Sequence, residues 1–393
     1  MSGSRNPLYY VIALLASNVC ASTAFGVLSP TIVANCVERG TTSLSIGILT
    51  SIWALPFLVG APFYTRIVAR FSAKPCLVVG MAGAVVSLCL FPVFPHDAGW
   101  IALQLVCGAT LGHFSLITEA WLNLFSTEAT RSRVMALYGV LPAIGYAIGA
   151  GLYVIVGFHG FTPFLTAAAA MATGLLPLWS IPRDAADIVL GGDERVGHTF
   201  TEIPLLLAIA FLAGVLETVP WGLMQVYATD NGWSVRAAGF ALPVFYWGQI
   251  VLTYPIGWIA DRIPRRSVLM GTSAAAILCM MALGSWTQSP TLWVIIFASG
   301  GIATGTYTIG LAVLGQRFDA QSLVSANAAF IACYGLGTIS GPPAVGDFMD
   351  RLGPGMLPTS LALVGAAIFF CALGARAEWQ TGAPSPSTVE KSG

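Results

Sequence analysis

Apolar residues along this chain gather into runs of about 20, the length an α-helix needs to cross the hydrocarbon core of a bilayer. Short polar turns separate them. The runs fall at about 8–34, 45–69, 75–95, 99–125, 133–157 and 160–182, then at 202–228, 236–260, 266–287, 290–316, 321–346 and 355–376. The pattern predicts an all-α polytopic membrane protein with 12 transmembrane helices. The first run is too long for the apolar core of a signal peptide and has no cleavage site, so it counts as a span. Val19 directly before Cys20 speaks against a lipoprotein signal as well.

One polar stretch is longer than a turn. Arg183 to Thr201 carries four acids and Gly191-Gly192, and it divides the chain near its midpoint. The expected organisation is a six-helix bundle over 1–182, a cytoplasmic linker over 183–201, a second six-helix bundle over 202–376, and a disordered cytoplasmic tail over 377–393 ending PSPSTVEKSG. The two bundles overlay at a shift of about 192 residues. Gly40 falls on Gly232, Gly47 on Gly239, Arg70 on Arg262 and Lys74 on Arg266, with Gly145 and Gly149 on Gly337 and Gly341. Gly108, Gly112 and Phe114 fall one residue further, on Gly301, Gly305 and Tyr307. With six spans per unit, corresponding spans run the same way across the membrane. The repeat is therefore parallel, about an axis along the membrane normal, and suits two bundles rocking around a site between them.

Charge sets the orientation. Numbering the loops alternately puts 14 Lys and Arg residues on one side and only Arg39, Arg236 and Arg351 on the other. Basic loops are retained in the cytoplasm, so both termini are expected there. Charged residues make up only 9% of the chain, against about 25% in a typical soluble domain. Most of the surface faces lipid, and the zero net charge gives no sign of a nucleic-acid partner. Eight cysteines lie within or at the ends of spans without a C-x-x-C pair, and read as small apolar residues instead of a disulfide or metal framework. No metal site, cofactor or second subunit is expected.

After the eighth span the sequence runs Gly257-Trp-Ile-Ala-Asp261-Arg262-Ile-Pro264-Arg265-Arg266-Ser-Val-Leu269. It resembles the G-x-x-x-D-R-x-G-R-R-x-x-L signature of the major facilitator superfamily, with Pro264 in place of the second glycine. The first-half copy keeps Arg70 and Lys74 but has Thr65 and Ala69 where the signature has Gly and Asp. Physically, Gly257, Asp261, Arg262, Arg265 and Arg266 are placed to cap and bridge helix ends as a conformational latch. The paired Gly-x-x-x-Gly segments, 145–149 and 337–341, suit close helix packing. The resemblance implies alternating-access transport through a cavity lined by the first, fourth, seventh and tenth spans.

Two carboxylates lie inside spans, Glu119 in the fourth and Glu217 in the seventh. A charge at that depth is costly and usually marks an ion or substrate path, which makes both candidates for proton coupling. The plainer explanation for Glu119 is an ion pair with Arg131 or Arg133. Glu217, Trp221, Met224 and Gln225 recur on one helical face, next to Pro220 and Gly222, which loosen the helix. Tyr246 and Gln249 share a face in the eighth span, Tyr307 stands on one in the tenth, and Asn18 on one in the first. Trp221, Gln225, Tyr246, Gln249, Tyr307 and Asn18 are the expected substrate contacts. Lipid contact or interhelix packing is the ordinary explanation for a lone aromatic, and it weakens where the ring shares a face with an amide or acid.

Absences narrow the chemistry. Span cores hold no Lys or Arg to neutralise a phosphate or carboxylate, and Gln104 stands near where many members of the superfamily carry an arginine. A neutral, aromatic or amphipathic small molecule fits such a cavity better. No phosphate-binding loop or nucleophile–base spacing is present, so transport runs on gradients and the chain is not an enzyme. Three readings remain open: uptake of a neutral organic solute, driven by protons; export of amphipathic compounds; and a membrane sensor that moves nothing. Ala150 after Gly149, where drug antiporters carry proline, leans against export. The overall plan is also similar to riboflavin uptake proteins of the superfamily, and riboflavin, an uncharged tricycle with a polyol tail, would suit rings at Trp221 and Tyr246 with amides at Gln225 and Gln249.

Overall fold

The computed structural model describes residues 7–181, 202–285, 291–318 and 320–375, all in helices and short turns. The expected linker and tail lie outside the described residues. The first half contains α1 (Pro7–Glu38), α2 (Ser43–Ser51), α3 (Ala54–Phe71), α4 (Ala73–Leu90), α5 (Asp97–Phe125), α6 (Glu128–Val156), α7 (Thr162–Thr173) and α8 (Leu175–Leu178). The second contains α9 (Pro204–Asp230), α10 (Val235–Ala238), α11 (Ala241–Ala260), α12 (Arg265–Ser285), α13 (Thr291–Arg317), α14 (Ala320–Leu352) and α15 (Met356–Gly374).

Among the described residues, ten helical stretches are each long and apolar enough to cross a membrane. The second span differs from the continuous helix expected. It is a pair, α2 and α3, bent by 41° at Ile52–Trp53. The sixth is a shorter apolar stretch, Thr162–Leu178, still within the range of about 17–25 residues that spans a bilayer. The chain is a polytopic all-helical membrane protein.

Each half repeats the same packing. α1 lies on α6 as α9 lies on α14; α3 on α5 as α11 on α13; α4 on α7 as α12 on α15. Glycines make the closest approaches possible. A Cβ on Gly149 would sit 2.1 Å from the Thr23 carbonyl oxygen, and one on Gly337 would sit 2.0 Å from that of Phe211. The contacts also correct one pairing of the repeat. Gly108 rests on the carbonyl of Trp53 and Gly300 on that of Phe245, so Gly300, not Gly301, is the counterpart of Gly108, while Gly112 against Tyr64 and Gly305 against Ile256 still pair one residue further. The basic end repeats too: Lys74 donates to the carbonyl oxygen of Ile181, and Arg266 donates to that of Leu373 at 3.0 Å. Each cation thereby satisfies the orphan carbonyls where its half's last span ends.

The two halves join at one end of the bundle, the end opposite these cations. There α2 packs on α9 and α14, and α6 on α11. Asp350, near the end of α14, accepts from the backbone N–H of Ser43 at 2.8 Å and of Leu44 at 2.9 Å, capping α2 across the seam. Gln225 Nε2 donates to the Tyr153 hydroxyl at 3.1 Å. At the basic end α5 and α13 form no substantial contact. The halves are closed at the acidic-capped end and parted at the basic end.

Candidate functional site

The seventh span, α9, carries Glu217 at its midpoint. Pro220 follows three residues later; it lacks an N–H, so the Leu216 carbonyl loses its helical partner and the helix is loosened beside the acid. Glu217 is held from two other helices of its half. Gln249 of α11 donates through Nε2 to Oε1 at 3.0 Å, and the Tyr334 hydroxyl of α14 donates to Oε2 at 2.8 Å. A carboxylate only accepts, so the Gln249 amide must turn its nitrogen inward. Charge-assisted bonds of this length are roughly twice as strong as neutral ones. Protonating Glu217 would change the demand at one oxygen: that oxygen becomes a donor, and Tyr334 or Gln249 must turn to accept from it. Proton occupancy of one side chain thus sets the orientation of the groups that link α9, α11 and α14.

One turn beyond Glu217, away from the basic end, aromatic rings close the space between the halves. Tyr146 of α6 stacks on Tyr246 of α11 at 5.3 Å and 15°, and meets Trp221 of α9 at 5.5 Å. Trp221 and Tyr246 lie 5.8 Å apart. Three rings from both halves therefore form one cluster. Tyr307 of α13 lies apart from that cluster, 4.7 Å from Tyr334.

Two of the expected amides serve the protein itself. Gln249 is committed to Glu217, and Gln225 to Tyr153 at the seam between the halves. Asn18 is buried in α1 and its Nδ2 has no hydrogen-bond partner. Glu119 of α5 is exposed and makes no ion pair among the described residues, so the anticipated bridge to Arg131 or Arg133 is not formed. It stands within electrostatic reach of Tyr138 on its own half and of Tyr307 across the gap. Tyr146 and Tyr334 escaped sequence reading, although both stand on faces already marked. Tyr146 is inside the 145–149 glycine pair, and Tyr334, Gly337, Thr338 and Gly341 share one face of α14.

Among the described residues, the signature residues at the basic end bond only within their own half. Asp261 makes a long ion pair of 3.9 Å with Arg265, Arg262 stacks on Trp258 at 3.5 Å, and Arg265 and Arg266 donate to backbone carbonyls of α13 and α15. Gly257 faces open space. Exposed pairs of this length contribute about 0–1 kcal/mol. Asp261→Asn is therefore expected to leave thermal stability within about 0.5 kcal/mol of the parent while slowing transport several-fold. The set of competing solutes should stay the same; changed competition, read in the same uptake assay, would mean that the loop shapes the binding site.

Residues 14–202 and 206–392 match the Major Facilitator Superfamily. The chain belongs to that superfamily: it is a membrane transporter and not an enzyme. Among its relatives, the uncharacterized MFS-type transporter YfkF of Bacillus subtilis (strain 168) is 24% identical over 353 residues, 87% of this chain and 88% of YfkF. The uncharacterized MFS-type transporter YcaD of Escherichia coli (strain SE11) is 22% identical over 371 residues, 90% of this chain and 92% of YcaD. The fold resembles the solved nucleoside transporter NupG, with a TM-score of 0.77 at 15% identity, covering 94% of this chain and 99% of NupG. It also resembles a D-xylose-proton symporter, with a TM-score of 0.70 at 13% identity, covering 96% and 97%.

Proposed function

We propose that this transporter takes up a flat, uncharged heteroaromatic solute with a hydroxylated tail, in exchange between two facing states and coupled to a proton on Glu217. The observation that carries the reading is the midspan carboxylate held by Tyr334 and Gln249 directly beside the Tyr146–Trp221–Tyr246 cluster. Aromatic faces hold flat rings at little entropic cost. Every Lys and Arg among the described residues lies near a helix end or in a turn, so nothing cationic is at hand to neutralise an anionic solute. With the basic loops cytoplasmic, the arrangement is an inward-open state of an inner-membrane protein acting as a single chain, with both termini inside. Glu119, exposed on α5 and within electrostatic reach of Tyr307, is the second candidate for proton transfer.

Riboflavin and uridine are the two probes that test this reading. NupG is a nucleoside transporter, and a nucleoside shares the flat ring and hydroxylated tail of riboflavin. Cells unable to make or otherwise import each compound should show saturable uptake of the labelled compound when they express this protein, and collapse of the proton gradient should lower accumulation at least about ten-fold, since one charge crossing 100 mV carries about 2.3 kcal/mol. Absence of uptake of both, with the protein in the membrane, would overturn the reading and bring export of amphipathic compounds forward.

A further inference from the structure

Beneath the seam, between the aromatic cluster and α5, lies a small cavity of about 20 Å³. Both halves line it: Trp53, Gln104 and Tyr146 from the first, Trp221 and Tyr246 from the second. Two of its buried polar atoms have no hydrogen-bond partner, Gln104 Oε1 and Trp221 Nε1. Gln104 is 3% exposed, and its Nε2 donates to the Leu49 carbonyl oxygen at 3.0 Å. That bond settles which way the amide faces, because a carbonyl can only accept. The Gln104 oxygen is thereby left as a fixed, unused acceptor. An indole N–H only donates, so Trp221 offers the complementary group from the opposite half.

Leaving a buried donor or acceptor unmade costs about 1–3 kcal/mol for each group. A matched pair of such groups, one on each half, is what a ligand bridging the halves would satisfy. As drawn together here, the cavity has room for little more than one water molecule. Tyr146 belongs to one half and Trp221 and Tyr246 to the other, so parting the seam would separate the rings and widen this space toward the outer end. The amides expected from sequence, Gln225 and Gln249, are engaged elsewhere, and Gln104 is the amide in this cavity with a free oxygen.

We infer that this cavity is the contracted outer-facing substrate site, and that it reads the lactam or imide edge of a heteroaromatic ring. The ring N–H donates to Gln104 Oε1, the adjacent ring carbonyl accepts from Trp221 Nε1, and the ring itself lies against Tyr146 and Tyr246. The inference rests on the proposed transport of flat uncharged solutes and adds the edge by which they are chosen.

The test compares binding of riboflavin with 3-methylriboflavin, and of uridine with 3-methyluridine, by calorimetry on the purified full-length protein. Each methyl removes the ring N–H and leaves the ring carbonyls. The expected result is a loss of affinity of at least about ten-fold on methylation, since a site built around a hydrogen bond rejects analogues that lack it. Gln104→Met should bind the two members of a pair alike, and Trp221→Phe should weaken both. Equal affinity for methylated and parent compounds on the unaltered protein, or discrimination that survives in Gln104→Met, would overturn the assignment of Gln104 and leave the proposed function standing. No binding of either parent compound would overturn both. The comparison on the unaltered protein decides the matter even if a variant fails to fold.

Discussion

Glu217→Gln is expected to lower gradient-driven accumulation of the transported solute at least about ten-fold while leaving counterflow of preloaded solute close to the parent rate. The substitution keeps the size of the side chain. Its amide still accepts from the Tyr334 hydroxyl through one oxygen, but its nitrogen is now a donor and faces the Gln249 nitrogen, where the carboxylate accepted at 3.0 Å. Gln249 can answer by turning its amide, so α9, α11 and α14 stay linked. What is lost is the second state, because an amide neither gains nor releases a proton in this range. The exchange of bound solutes requires only that the halves alternate with the site filled, whereas accumulation requires that the proton and the solute move in one cycle. Tyr334→Phe separates the two roles further. It removes one donor to the carboxylate and leaves the titrating group, so accumulation should persist with an altered pH profile. Uptake and counterflow measured in proteoliposomes with and without an imposed proton gradient distinguish these cases. Undiminished accumulation by Glu217→Gln would remove Glu217 from coupling and leave Glu119 as the acid to examine.

Much of the architecture could be read from the chain because the membrane makes its demands in sequence. Apolar runs of fixed length and basic loops on one side are imposed by lipid and by the cost of moving charge through it. The repeat was legible through glycines because backbone-to-backbone approach tolerates no side chain, as at Gly149 and Gly337. The break at Ile52–Trp53 has a local cause that a run of apolar residues hides: Pro56 has no N–H for the Ile52 carbonyl, and Trp53 gives its own carbonyl to the close approach of Gly108. The site was legible in its acid and in part of its aromatic wall, since Glu217, Trp221 and Tyr246 combine polarity or ring area with a cavity-facing span. Its hydrogen bonds were not. Which amide is spent on the protein and which is left free depends on partners from distant parts of the chain. Gln249 meets Glu217 across 32 residues, Gln225 meets Tyr153 across 72, and Gln104 meets Leu49 across 55. A helical face drawn from one segment carries no information about those meetings.

The seam itself gives the second large expected effect. Gly47→Ala should shift the protein away from the conformation described here, by about 1–3 kcal/mol, which is roughly a five-fold to 150-fold change in the ratio of the two facing states. A Cβ on Gly47 of α2 would lie 2.4 Å from the carbonyl oxygen of Pro342 and 2.8 Å from the nitrogen of Pro343, both backbone atoms of α14. No side chain is available to swing aside, and α14 is pinned on its other face by Gly337 against Phe211. Relief must come from α2 and α14 moving apart, which also stretches the Asp350 cap on Ser43 and Leu44. Opening of this kind is the motion the transport cycle requires at this end, so the variant should populate the opposite facing state instead of unfolding. Spin labels at Thr162 and Thr359, exposed near the seam end of each half, would report it as a longer distance in a background stripped of the eight native cysteines. Gly257→Ala is the internal control. Gly257 meets nothing within 4 Å in the present state, so an added methyl group costs nothing here. If the signature loop closes against the other half when the seam opens, the same methyl is buried then, and Gly257→Ala should move the equilibrium the opposite way from Gly47→Ala. Unchanged distances in Gly47→Ala would show that the seam yields without parting the halves, and that its glycines serve packing alone.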